Sequence, residues 1–333
     1  MALRTITSDP MLRLLGAAML LAAILPATGE WRSAAQMAAN AGIFVLFLAN
    51  GMRIARSEIA AGLANWRFFL PLTLWIFGAM AVAGLGFSVV GKSALPPLVA
   101  AGFLYLGTLP TTVQSSTSYS SLAGGNVALS VIAAASMSIL GVFISVPIFL
   151  ALGGSGEGMV GSDAIMKIVV ILIVPFAIGQ LVQTRTANFI ARQKSRIIWL
   201  DRLVIAFAVY VAFSGAVEQG IWSKIDFAGW GYTLGLVAVF LAVGHAGSWA
   251  ASRFAGRSRE DRIAFLFAGA QKSAAIGAPL ATVLFPAEVA GFIVLPLLLY
   301  HFLQLVLAAP LATRLAGKHL PDASGSSAPT TRS

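Results

Sequence analysis

The chain has 333 residues, of which 58% are hydrophobic and only 10% charged, with a formal net charge of +10 and no cysteine. A soluble domain carries about 25% charged residues, and a fold in water could not hide this much apolar surface, which excludes a soluble enzyme or binding module. The lack of cysteine removes disulfides, thiolate metal sites and cysteine nucleophiles from the available chemistry.

A helix crosses the hydrocarbon of a bilayer with roughly 20 apolar residues, and runs of that kind can be marked along the chain. The first, 11–28, follows Arg4 and Arg13 in the manner of a secretory signal, but more runs come after it and it is read as a retained first helix. The next four are 34–52, 68–90, 95–122 and 126–152. Five more follow at 163–186, 200–217, 228–252, 262–285 and 288–314. Between the second and third runs, Arg53 to Arg67 alternates charged and small apolar residues, as a short interfacial helix does. The tail 316–333, rich in Ser, Thr, Pro and Ala, is expected to be disordered.

Placing the N-terminus in the cytoplasm assigns 17 of the 22 Lys and Arg residues to that side and only Arg32, Lys92, Lys167 and Lys224 to the other. Cytoplasmic loops carry this asymmetry, which accounts for the positive charge without nucleic acid and puts both termini in the cytoplasm of a bacterial inner membrane. Trp31, Trp66, Trp199, Trp222 and Trp230 fall at span ends, where an amphipathic ring belongs. The expected fold class is an all-α membrane protein of about ten transmembrane helices. Five spans per half, 1–152 and 153–315, is an odd number, so the halves would insert as inverted repeats. Val113-Gln114-Ser115-Ser116 in the fourth span and Ala270-Gln271-Lys272-Ser273 in the ninth are the matching polar segments.

These two spans carry the chemistry. In the fourth, Pro110 stands beside Thr112, Gln114, Ser115, Ser116 and Thr117. A proline removes one backbone hydrogen bond and restricts the residue before it, so carbonyls near Leu106 to Thr108 need other partners. The ninth repeats the pattern with Gly269, Gln271, Lys272, Ser273, Gly277 and Pro279. Broken backbone inside a membrane is tolerated where protein buries it or where it lines a cavity, and paired interruptions in two halves point to a midplane binding site. Half-helix N-termini suit an anionic group and unwound carbonyls suit a cation. Any one serine here is also an ordinary interhelical hydrogen-bonder, but a lysine inside a span is a functional candidate by default.

At these residues the chain resembles the bile acid:sodium symporter superfamily, in its SBF-like branch. The resemblance is carried by Gly102-Phe103-Leu104-Tyr105-Leu106, Leu109-Pro110-Thr111-Thr112-Val113-Gln114-Ser115 and Gly124-Gly125-Asn126-Val127-Ala128. Gln271-Lys272-Ser273 with Gly277 and Pro279, and Leu295-Pro296-Leu297 with Tyr300-His301 and Gln304, complete it. It implies a core domain of spans three to five and eight to ten, a panel of spans one, two, six and seven, and crossed discontinuous helices 4 and 9. It further implies a sodium site whose ligands fall on Ser116, Thr117, Ser130 and Gln271. Where those symporters have a ninth-helix glutamate, this chain has Phe267, and the residue after the glutamine is Lys272. An ammonium there would supply the charge of a bound sodium ion. Burial disfavours its charged form, which makes Lys272 a candidate proton carrier and leaves sodium or proton as the coupling ion.

Elsewhere, His301 and Gln304 lie one turn apart and are expected to face the site, whereas His245 reads as a histidine bonded between helices. No zinc spacing joins the histidines. Glu218 ends the seventh span as a candidate outer gate, and Asn126 is placed as the cap of the fifth helix. With no P-loop and no nucleophile and base at membrane depth, the expected activity is secondary active transport of an organic anion or similar small solute, with no cofactor. The alternative is a cation-homeostasis or regulatory membrane protein of the same fold. The expected partners are the lipid bilayer and a small anionic substrate, and the oligomeric state is left open.

Overall fold

The computed structural model describes residues 10–57, 64–154, 160, 163–255 and 258–317. The regular structure among them is entirely helical. In chain order the helices are α1 Pro10–Ile24, α2 Gly29–Arg53, α3 Trp66–Gly91, α4 Pro97–Thr108, α5 Val113–Leu122 and α6 Val127–Ala151. After these come α7 Ala164–Arg192, α8 Lys194–Glu218, α9 Ile221–Lys224, α10 Phe227–Ala255, α11 Arg259–Ala270, α12 Ala274–Leu284 and α13 Ala287–Gly317. Within α3 the turns at Leu74–Ala79 are π-helical, and so are those at Val169–Ile173 within α7.

Eight stretches among the described residues are long and apolar enough to cross a membrane, counting 259–284 as one; Pro10–Ile24 and Pro97–Thr108 are shorter apolar helices. The lateral surface is of the same character, with Ile24 and Leu181 each 74% exposed and Val82, Leu74 and Val89 also turned outward. Apolar faces of that extent are stable against lipid and would aggregate in water.

The expected runs coincide with these helices to within a few residues, the largest shifts being the end of α7, at Arg192 rather than residue 186, and the start of α8, at Lys194 rather than residue 200, because both helices continue through polar and charged residues beyond the apolar run. Asn126 caps α6 as expected, its Oδ1 accepting from Leu129 N at 3.0 Å after a turn in which Gly124 adopts φ +73°. Residues 58–63 of the expected interfacial helix lie outside the described residues, as do Arg4, Arg257 and the tail from Lys318.

Burial ranks the helices. In the most apolar stretch of 259–284, 89% of residues are buried, against 28% for α7, so α11 and α12 form the centre and α7 the margin. Small residues let backbones touch at the principal seams. A Cβ on Gly107 would fall 2.5 Å from Met80 O, and one on Gly102 would fall 2.5 Å from Ile293 O and 2.8 Å from Pro296 Cδ. That second contact brings together two of the segments that carry the family resemblance. At one rim Arg32 of α2 pairs with Glu218 at the end of α8 and with Glu288 at the start of α13, the latter at 2.8 Å. Glu218 is therefore held in an ion pair. At the other end of α2, Arg53 pairs with Asp201 of α8 at 2.8 Å, and Gln180 Nε2 of α7 donates to Gly51 O and Ile54 O.

Candidate functional site

The two interruptions expected from the sequence are present, at residues 109–112 between α4 and α5 and at 271–273 between α11 and α12. They meet. Ser273 N donates to Pro110 O at 3.0 Å, joining one break to the other, and Ser115 Oγ donates to Gln271 Oε1 at 3.0 Å.

Lys272 lies inside this junction, 0% exposed. Its Nζ donates to Leu109 O at 2.8 Å, to Gly107 O at 3.0 Å and to Ile76 O at 3.4 Å. An ammonium has three N–H donors and no acceptor, so three carbonyls satisfy it. Two of them sit at the C-terminal end of α4, where the helix dipole presents its negative pole, and the proline at position 110 is part of the reason they are unclaimed by the helix. The third comes from the π-helical segment of α3. An ion taken out of water without partners costs several kcal/mol, and charge-assisted bonds of this kind offset that cost.

The backbone of Lys272 is clamped as well. Gln304 of α13 accepts from Lys272 N at 2.8 Å and donates through Nε2 to Lys272 O at 3.0 Å. This two-way match fixes the orientation of the amide. Gln304 Nε2 also lies 2.8 Å from His301 Nδ1, which is then the acceptor, placing the ring proton of a neutral His301 on Nε2.

The remaining ends of the broken helices are closed differently. At the C-terminal end of α11, Gly269 O accepts from Trp75 Nε1 at 3.2 Å and Ala270 O accepts from Tyr300 OH at 2.6 Å. At the N-terminus of α12, Ser273 Oγ accepts from Ile276 N at 3.2 Å, and Tyr105 OH donates to Gly277 O at 2.6 Å. The N-cap of α5, Thr112, makes no side-chain capping bond, and the hydroxyl of Thr111 is buried with no partner among the described residues.

Of the residues expected at the site, Pro110, Ser115, Gln271, Lys272, Ser273, His301 and Gln304 are joined by these bonds, and Thr112 borders them as the cap of α5. Gln114 is not among them: it is exposed on the first turn of α5. The pairing of Gln114 with Gln271 is thus out of step with the breaks, since Gln271 opens its break whereas Gln114 follows its own. Ser116, Thr117 and Ser130 carry hydroxyls that are buried with no partner among the described residues, on α5 and α6 where these pack against α11. They offer lone pairs but no charge, and Phe267, also buried, packs against Tyr119 at a centroid distance of 6.0 Å. No group of three or more His, Asp or Glu suited to a metal exists among the described residues. His245 differs from its expectation: its Nδ1 lies 2.9 Å from Leu241 O on its own helix, and among the described residues no bond joins Nε2 to another helix.

Trp75, Ile76, Tyr105 and Tyr300 were not foreseen as site residues. Trp75 had a usable signal, since it falls inside a span whereas five of the seven tryptophans stand at span ends. Ile76 contributes only its carbonyl, which no side-chain pattern reports.

The model of the SBF-like CPA transporter family matches residues 9–317. The chain belongs to this family. An uncharacterised protein of Pseudomonas aeruginosa is 38% identical over 304 residues, covering 90% of each chain. YfeH of Escherichia coli, which carries a provisional symporter name, is 36% identical over 310 residues, 92% of each chain. The sodium/bile acid cotransporter 7 of Rattus norvegicus is 22% identical over 287 residues, 81% of this chain and 80% of the relative. Family, relatives and apolar helices together make this a membrane transporter of the bile acid:sodium symporter superfamily.

Proposed function

We propose that the chain is a secondary active transporter that moves an organic anion or similar small solute across the bacterial inner membrane by alternating access. In this reading ten spans form two inverted repeats, 1–152 and 153–315, with both termini in the cytoplasm. Helices α4–α5 and α11–α12 cross in a core, and spans one, two, six and seven form the panel against which the core moves. The observation that carries it is the buried ammonium of Lys272 on three backbone carbonyls at the junction of the breaks. Carbonyls at a helix C-terminus are cation ligands, and here the cation is part of the chain.

Lys272 then does the work of a bound sodium ion in holding the junction, and its proton is the coupling ion. The open N-terminus of α5, with Thr112 uncapped and Gln114 exposed beside it, is the natural receptor for the anionic group of the substrate. Uptake into proteoliposomes under separate sodium and proton gradients tests this. A proton gradient alone is expected to drive uptake, and Lys272→Met is expected to abolish it. Uptake driven by sodium alone and unchanged in Lys272→Met would defeat the reading.

A second reading rests on the partnerless hydroxyls of Ser116, Thr117 and Ser130, which could still receive a cation, and assigns the fold to cation homeostasis. Altered intracellular sodium or calcium in a deletion strain, without any change in organic solutes, would favour it over the first.

A further inference from the structure

The π-helical turns of α3 face the junction at two adjacent residues. Trp75 Nε1 donates to Gly269 O at the end of α11, and Ile76 O accepts from Lys272 Nζ. A π turn carries one more residue than an α turn and leaves carbonyls without their usual partner, which is why such segments recur at functional sites. The indole reaches the centre through space that only glycine leaves open: a Cβ on Gly269 would fall 2.8 Å from Trp75 Cδ1, and one on Gly247 would meet the far edge of the same ring. Below the π segment, Gly107 and Gly84 bring the backbones of α3 and α4 into contact. The segment is thereby fixed to both broken helices at once.

We propose that the π segment of α3, through the indole of Trp75 and the carbonyl of Ile76, positions Lys272 within the junction of the two breaks. This rests on the reading of Lys272 as the internal cation. The charged side chain has three donors for three carbonyls. The bonds to Leu109 O and Gly107 O, at 2.8 and 3.0 Å, tie it to the end of α4, and the longest, to Ile76 O at 3.4 Å, ties it to α3, which Trp75 holds independently against α11. Of the other titratable groups on the packed elements, Tyr105 on α4, Tyr300 and His301 on α13 and His245 on α10 stand within the spans, Tyr119 of α5 donates to Leu305 O, and Arg67, Tyr232, Arg253, Glu288 and Arg314 stand towards the helix ends. The hydroxyls of Tyr105 and Tyr300 donate to backbone carbonyls, and His301 accepts from Gln304. The charged residues of α11, Arg259 to Arg262, lie at its other end, and α12 carries none.

Amine labelling of the purified full-length protein, read by mass spectrometry across pH, tests the assignment without depending on a substrate. Lys92, Lys167 and Lys224, outside the junction, serve as internal references. In the wild type, Lys272 should react about tenfold more slowly than these, as a fully buried amine does when it reacts only through local opening. Trp75→Phe, which keeps an aromatic ring at the position but removes the indole N–H, should raise the Lys272 rate several-fold and move the pH midpoint of its labelling, with the reference lysines unchanged. A variant lacking Gly78, which takes the extra residue out of the π turn, should do the same more strongly. If Trp75→Phe folds and leaves both rate and midpoint at their wild-type values, α3 does not position Lys272 and the proposal falls. Loss of proton-driven uptake with normal labelling behaviour in wild type would count against the transport reading alone.

Discussion

The two breaks are closed with opposite electrostatics. At the end of α4 the free carbonyls of Gly107 and Leu109 accept from an ammonium, whereas at the end of α11 those of Gly269 and Ala270 accept from neutral groups, an indole and a phenol. The N-terminal ends differ too: α12 is capped by Ser273 and α5 is left without a side-chain cap. One break is thus finished by neutral donors on two other helices, and the other by the side chain of a residue in the opposite break. In the proposed transport cycle the second arrangement is the switch, and the first its frame.

The largest effect expected from disturbing this difference is that of Lys272→Met. It keeps much of the volume but strips the donor from three buried carbonyls, at about 1–3 kcal/mol for each group left unsatisfied. Proton-driven uptake should vanish and the unfolding temperature of the purified protein should fall. Gln304→Leu comes next, since it removes both bonds to the Lys272 backbone and should cost about 2–4 kcal/mol; a thermal melt with no shift would show that the clamp is dispensable. Tyr300→Phe, on the neutral side, should cost about 1–3 kcal/mol for the orphaned Ala270 carbonyl and leave the pH dependence of uptake unchanged. The smallest contrast is the sharpest: Ser273→Ala should cost about 1 kcal/mol as a lost cap, while Thr112→Ala should fall within about 0.5 kcal/mol of wild type. Equal melting shifts for that pair would erase the distinction between the two helix N-termini.

The helices and both breaks were legible because their causes are local. Long apolar runs are set by the bilayer, and Pro110 announces orphaned carbonyls just upstream, one of which, Gly107 O, is indeed taken by another group. What the sequence did not disclose was the identity of the donor, because Lys272 and Gly107 are 165 residues apart and their meeting is a property of packing. The π turns of α3 were equally hidden: an extra residue within an apolar run leaves composition and hydropathy as they were. The likeness of the segments around Gln114 and Gln271 does not follow the breaks, since a half-helix is registered by where it starts, and the N-caps of the two half-helices are Thr112 and Ser273.

The seam between α8 and α13 has a consequence of its own. Gly215 and Gly291 lie so close to the backbone of Ala287 and Ala212 that no side chain fits at either position, and Arg32 fastens the same rim through Glu218 and Glu288. A side chain added at either glycine would meet the opposite backbone, so the two helices can approach this closely only while both positions stay without a Cβ, and the seam has no slack to absorb bulk.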